Sequence, residues 1–209
     1  MFYNYEKNGS RIYTKSFNII RKEADLSGFT KDEENVVVRM IHATGMVEIA
    51  QKIRFTKNMV ILARKALENG ANILCDTEMV RQGITKSRLP ATNNIICTLR
   101  RKNIGSVAKK IKNTRTAAGV ELWKPFLKDS ILAIGNAPTA LFHLLNLLKK
   151  EDCFKPSAII AFPVGFVGAC ESKEALYDFN SIPFCTIEGR LGGSPMTVAA
   201  INAIAQKKE

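Results

Sequence analysis

Short apolar runs alternate with helix-like segments from Asn72 onward, and this alternation constrains the fold more than any other feature of the sequence. The apolar runs predict strands at residues 72–75, 95–99, 130–134, 157–162 and 184–187. Each run precedes a predicted helix, at residues 77–82, 116–126, 139–149, 172–179 and 194–205. Runs that are apolar throughout are typical of parallel strands covered on both faces. Five such units predict an α/β fold, a doubly wound sheet of about five parallel strands with helices on both sides.

The first 70 residues predict helices and no strand. One helix is expected from about Arg11 to Ala24, and a third covers roughly residues 58–69. The second begins after Thr30, a good N-cap followed by three acidic residues, and ends near Gly45. We therefore predict a single domain over residues 1–209, with a helical N-terminal extension at 1–70 and the β-α units at 71–209.

Composition limits the location and the partners. No apolar run approaches the roughly 18–20 residues that cross a bilayer, and the N-terminus does not resemble a secretory signal, so a cytoplasmic protein is expected. The five cysteines lack any CxxC pair, which favours reduced thiols over a metal site. The net charge of +12 indicates either an anionic partner or a generally basic surface.

The loops that follow the strands are where a doubly wound sheet binds ligands. Two of them, PVGFVGACES and EGRLGGSP, are rich in glycine and precede predicted helix starts at Ser172 and Ser194, where free N–H groups favour an anion. Neither loop contains the GxGxxG fingerprint, and the chain has no GxxxxGK[ST] P-loop. A basic nucleotide- or RNA-binding domain nevertheless stays open as an alternative at this point.

The chain has two histidines, the side chain best suited to proton transfer near neutral pH. His143 lies in the apolar segment ALFHLLNLL and is expected to be a packed residue. His42 lies at the end of the second helix with Arg39 one turn before it, so it is either an acid-base group or a helix-end histidine. Asp76 is a general base or, more simply, a helix cap. Arg115 at a predicted helix start indicates an anionic ligand or an ordinary surface position.

Seven segments together resemble a known family. They are SFNIIRKEADLS, VRMIHATGMVE, ILCDTEMVRQGITKSRLP, NTRTAAGVELW, AIGNAPTALFHLL, PVGFVGACESKEAL and GRLGGSPMTVAAINA. In their order and spacing they are similar to the precorrin-8X methylmutases, also called cobalt-precorrin-8 methylmutases, of cobalamin biosynthesis. The resemblance covers nearly the whole chain.

The resemblance implies an isomerase that moves a methyl group from carbon eleven to carbon twelve on ring C of precorrin-8X or cobalt-precorrin-8, giving hydrogenobyrinate or cobyrinate. It implies His42 as the proton-handling residue, and Ser16, Arg39, Thr85 and Arg115 as contacts to a polycarboxylate tetrapyrrole. It also implies a flavodoxin-like three-layer sheet, no cofactor or metal, no nucleic-acid or membrane partner, and a homodimer with its active site at the subunit interface.

Overall fold

The computed structural model describes residues 2–150 and 155–206, so Cys153 lies outside the described residues. In this part of the chain one sheet has six strands: β1 Ile53–Phe55, β2 Ile73–Cys75, β3 Ile95–Cys97, β4 Ile131–Ile134, β5 Ala158–Ala161 and β6 Phe184–Ile187. Their order in the sheet is β1-β6-β5-β4-β2-β3. Strands β2 to β6 are parallel, and β1 pairs antiparallel with β6 at the edge.

All five predicted strands are present, with bounds within two residues of those expected. The chain moves outward from β2 to β3, returns to place β4 on the other side of β2, and then continues through β5 to β6. This is the flavodoxin-like order of a doubly wound sheet. The carboxyl ends of β2 and β4 form the switch point at which such sheets bind ligands.

Helices cover both faces of the sheet, which makes the fold three-layered. The α-helices of the described residues are α1 Gly9–Glu23, α2 Lys31–Thr44, α3 Met59–Glu68, α4 Glu78–Gly83, α5 Ile104–Lys110, α6 Arg115–Glu121, α7 Pro138–Lys150, α8 Ala169–Phe179 and α9 Ser194–Ile204. Successive strand residues face opposite clusters, as a pleated strand requires. Ile131 and Ala133 join a core with α2, α3 and α9, whereas Leu132 and Ile134 join one with α6, α7 and α8.

Helix α2 carries buried side chains into the first of these cores and packs along α9. Thr30 and Glu33 form a capping box at its start, and Gly45 ends it in the left-handed region with φ 71°. Helix α1 in turn packs on α2 and buries Phe17 and Ile20. The N-terminal helices therefore share their core with the sheet.

Arg64 of α3 fixes the direction of α2. Its Nη1 pairs with Asp32 at the start of α2 at 2.6 Å, and its Nε donates to the carbonyl of Ile204 at the end of α9 at 3.0 Å. After α2, the carbonyl of Lys52 accepts from the amide of Glu188, just beyond the end of β6, at 3.0 Å. The end of α2 therefore lies toward the carboxyl edge of the sheet, the side where ligands are expected.

The structure differs from the sequence-based expectation in four places. Strand β1 was not predicted, because three residues are too short to show a period. Helix α5 was not predicted either. The segment expected as one helix at 116–126 divides into α6 and a 3₁₀ turn at Lys124–Phe126, where Pro125 has no N–H to continue the helix.

The fourth difference concerns Ser172, which was expected at a helix start. Helix α8 begins at Ala169, and the amide of Ser172 donates to the carbonyl of Gly168 inside the helix. It therefore offers no free N–H group to an anion. Ser194 does begin α9, as predicted. Within the described residues, no helix combines the length and the apolar character needed to cross a membrane.

Candidate active site

His42 occupies the last turn of α2 and packs against two aromatic rings of α1. Its ring centroid lies 5.2 Å from that of Tyr13 and 5.2 Å from that of Phe17, the latter in an edge-to-face arrangement of 83°. The guanidinium carbon of Arg39 lies 5.7 Å from the centre of the same Phe17 ring. We call Tyr13, Phe17, Arg39 and His42 the Phe17 cluster. His42 is half-buried, so its imidazole is held on two sides while part of it faces solvent.

Ser16 lies beside this cluster on α1. The spacing of Tyr13, Ser16, Phe17 and Ile20 places all four on one helical face, the face directed at α2. The side chain of Ser16 is half-buried, between the exposed Tyr13 and the buried Phe17. The structure thus brings together three of the five predicted site residues: Ser16, Arg39 and His42.

A charged contact holds α1 in place on α2. Arg21 donates from Nε to Oε1 of Glu34 at 2.8 Å and from Nη2 to Oδ1 of Asn35 at 3.2 Å. Burial raises the pKa of Glu34, but hydrogen bonds from Arg21 and Lys31 outweigh it and leave that pKa below its usual 4.5. The ionised form of Glu34 is therefore favoured in the folded protein, and it holds Arg21, whose guanidinium lies 6.0 Å from the centre of the Phe17 ring.

Asp76 organises the switch point of the sheet. Its Oδ1 accepts from the amide of Gly135 at 3.0 Å, and its Oδ2 accepts from those of Asn136 and Ala137, both at 2.9 Å. Burial raises the pKa of this carboxyl, whereas the three amides act against that rise. With both oxygens occupied, Asp76 serves as an anchor for the loop that enters α7. It does not cap its own helix, since the N-cap of α4 is Thr77.

The two glycine-rich loops contact each other at the carboxyl edge. We define the Phe166 loop as residues 163–168 and the Arg190 loop as residues 188–193. The amide of Gly165 donates to the carbonyl of Arg190 at 3.2 Å, and the Arg190 guanidinium lies 5.2 Å from the centre of the Phe166 ring. A Cβ added to Gly192 would lie 2.3 Å from the carbonyl oxygen of Phe162, so this close approach requires glycine.

Thr85 and Arg115 take other positions. Arg115 is the first residue of α6, exposed at the carboxyl edge, and its Nη2 donates to the carbonyl of Leu99 at 3.3 Å. Thr85 is exposed, and its amide donates to Oδ1 of Asn202, late in α9, at 3.0 Å. Both side chains are accessible to a ligand, but they lie on segments separate from the Phe17 cluster.

His143 has the packing role expected from its apolar helix. Its Nε2 lies 2.8 Å from Oε1 of Glu121, and the ring is largely buried. Burial raises the pKa of Glu121, but hydrogen bonds from His143 and Lys124 bring it below the usual value. Of the two histidines, His42 is therefore the one whose ring is free of a carboxylate partner among the described contacts.

Three of the described thiols are poor nucleophiles. Burial raises the pKa of Cys75 and Cys185 well above the usual value, and it raises that of Cys97 to about 11. In the described part of the chain, no three His, Cys, Asp or Glu side chains are grouped closely enough to hold a metal ion.

Tyr13 and Phe17, the two rings that contact His42, were not predicted as site residues, although their i, i+4 spacing around Ser16 was a usable signal. The anchoring role of Asp76 was not predicted either, nor was the buried Lys173, whose ammonium contacts the Arg190 loop. No pattern in the sequence reveals these two, because their partners lie on distant segments.

Comparisons with known proteins match nearly the whole chain to one family. A family model described as "Precorrin-8X methylmutase" matches residues 11–207. A precorrin-8X methylmutase from Sinorhizobium sp is 52% identical over 205 residues, covering 98% of this chain and 97% of that protein. A cobalt-precorrin-8 methylmutase from Methanocaldococcus jannaschii is 36% identical over 204 residues, covering 95% and 93%. The solved structure of a Thermus thermophilus precorrin-8x methyl mutase has a TM-score of 0.85 at 36% identity, covering 94% and 95%.

The doubly wound sheet, together with these relatives, defines an enzyme of the isomerase class. The chain belongs to the precorrin-8X methylmutase family. These relatives favour the methylmutase over the nucleotide- or RNA-binding alternative.

Proposed function

We propose that the protein moves a methyl group from carbon eleven to carbon twelve on ring C of precorrin-8X, giving hydrogenobyrinate, with His42 transferring the proton that assists the shift. The observation that carries this proposal is the half-exposed imidazole of His42, fixed by Tyr13 and Phe17 next to Arg39, in a chain of this family. The corresponding reaction of cobalt-precorrin-8 gives cobyrinate.

The chemistry needs a proton donor and no redox step. The methyl group leaves one ring carbon and bonds to its neighbour while the conjugated electrons rearrange, so substrate and product have the same atoms. A proton added to the ring makes the receiving carbon electron-poor, and its later return to His42 leaves no net change. A well-placed acid-base group of this kind contributes about 10²–10⁴-fold in rate.

The substrate is a polycarboxylate, and the proposed contacts match its charge. Arg39 and Arg115 would bind carboxylates through forked hydrogen bonds, while Ser16 and Thr85 would offer hydroxyl groups. Arg39 lies in the Phe17 cluster, and Arg115 is exposed at the carboxyl edge. The net charge of +12 would further increase the rate of substrate capture by electrostatic steering.

We take the metal-free substrate as the first to test. The 52% identical relative is named for precorrin-8X, whereas the 36% identical relative is named for cobalt-precorrin-8. Parallel assays with both substrates would distinguish the two possibilities.

We further propose a cytoplasmic homodimer whose active site is shared between subunits. The described cysteines are free thiols, which fits a reducing compartment. Large apolar side chains are exposed on the N-terminal segment and on α1, the helix that packs against His42, including Tyr3, Ile12 and Ile19. Light scattering after gel filtration should give twice the chain mass, and Ile19→Glu should shift it toward the monomer.

The two histidines provide a matched test of the assigned role. His42→Asn should lower kcat at least 100-fold, about the contribution of an acid-base group, with unchanged thermal stability. His143→Gln, which removes the histidine bonded to Glu121, should retain wild-type kcat. The assay follows the appearance of the corrin absorbance spectrum. Equal kcat for wild type and His42→Asn would show that the proton-transfer role is wrong.

A further inference from the structure

Lys173 is a buried cation on α8. The residue is 2% exposed, and its Nζ donates to the carbonyl of Leu191 at 2.7 Å. Within residues 2–150 and 155–206, no carboxylate lies at ion-pair distance from Nζ. The cleft beside it, about 490 Å³ in volume, is lined by Cys170, Lys173, Glu174, Tyr177, Asp178, Glu188 and Gly189. Burial lowers the pKa of Lys173 to about 8, with Cys170 acting in the opposite direction.

The buried ammonium group of Lys173 has one hydrogen-bond acceptor, the carbonyl of Leu191. Removing it from water costs free energy that one carbonyl does not fully offset. An apolar side chain of similar length would pack at the same place without that cost. The buried charge of Lys173 therefore indicates a contribution to function rather than to the free energy of unfolding.

The hydrogen bond from Lys173 is one of three that hold the Arg190 loop in place. Two backbone hydrogen bonds hold this loop from the β5 side, Gly165 N to Arg190 O at 3.2 Å and Gly193 N to Phe162 O at 2.8 Å. Between them, Lys173 holds the carbonyl of Leu191, whose side chain packs on the core shared by α2 and α9. Lys173 supplies the side-chain hydrogen bond in this set of three.

We propose that Lys173 is a positioning residue for substrate binding: it fixes the Arg190 loop and the start of α9 in the conformation that receives the tetrapyrrole. This inference rests on the proposed function. The loop carries Arg190 and leads directly into Ser194, the first residue of α9. Without the ammonium, Leu191 O loses its donor, and the loop samples other conformations.

The test compares Lys173→Met with Lys149→Met, an exposed lysine on the neighbouring helix α7. For Lys173→Met we expect KM to rise about tenfold, equivalent to one lost hydrogen bond of about 1.4 kcal/mol, while kcat stays within about threefold of wild type. Amide exchange should accelerate in residues 188–193 and stay unchanged in the strands. The melting temperature should be equal to or higher than that of wild type. Lys149→Met should match wild type in every measurement.

Two results would overturn the proposal. One is a wild-type KM together with unchanged exchange in the Arg190 loop. The other is a lower melting temperature with faster exchange throughout the protein, which would make Lys173 an ordinary packing residue. If wild type converts neither tetrapyrrole, the proposed function fails, and the exchange and melting measurements still decide whether Lys173 holds the loop.

Discussion

Replacing Asp76 with asparagine exchanges one carboxylate oxygen for an NH₂ group, and it should lower the free energy of unfolding substantially. An amide has a single acceptor oxygen, so at least one of the three loop amides loses its partner, at a cost of about 1–3 kcal/mol. The two remaining hydrogen bonds change from charge-assisted to neutral and weaken by about 1 kcal/mol each. Relief from burying a charge offsets part of this loss. We expect the free energy of unfolding to fall by about 2–4 kcal/mol.

Urea denaturation measures this directly. Trp123 is the only tryptophan and is 1% exposed, so its fluorescence reports global unfolding. The melting temperature should fall by about 5–15 °C for a chain of this size. Glu78→Gln is the matched control, because its partly exposed ion pair with Arg81 contributes at most about 1 kcal/mol. A free energy of unfolding for Asp76→Asn within about 0.5 kcal/mol of wild type would refute the anchoring role.

Three further predictions concern single contacts. Gly192→Ala should cost about 2–4 kcal/mol in thermal unfolding, because its Cβ would collide with the carbonyl of Phe162; wild-type stability would contradict this. Glu34→Gln should lower the free energy of unfolding by about 1 kcal/mol at pH 7. This difference should disappear in acid, because the pKa of Glu34 is lowered in the folded protein and the stability from its ionised form is lost as the pH falls from about 4.5 through that pKa. Wild type should gain stability as pH rises from about 8 toward 10.5, where folded Lys173 releases its proton before the unfolded chain does, and pH-dependent denaturation of Lys173→Met should lack that gain.

The parts of the fold that the sequence predicted are those whose signals are local. Each parallel strand is a run of apolar residues buried on both faces, and the run itself reveals the burial. Helix α2 carries both its start signal, the Thr30 capping box, and its stop signal, Gly45. Strand β1 and helix α5 lack such signals, because β1 depends on pairing with β6 and α5 has no side-chain cap.

The candidate site likewise has contacts that local sequence spacing predicts and contacts that it does not. Arg39 and His42 are one turn apart, so their common side of α2 follows from the sequence alone. Their shared contact with Phe17 depends on how α1 packs across α2, which a local pattern does not encode. The contacts of Asp76 and Lys173 join residues 59 and 18 positions apart, respectively, and become visible only in the folded chain.

The most direct test of the methylmutase assignment follows the methyl group itself. Precorrin-8X carrying a ¹³C label in the migrating methyl group is incubated with the purified protein, and the product is analysed by NMR and mass spectrometry. We expect the label to move from carbon eleven to carbon twelve at unchanged mass, and His42→Asn to slow this movement at least 100-fold. A label that stays on carbon eleven in the presence of folded wild-type protein, or a product of different mass, would contradict the methylmutase assignment.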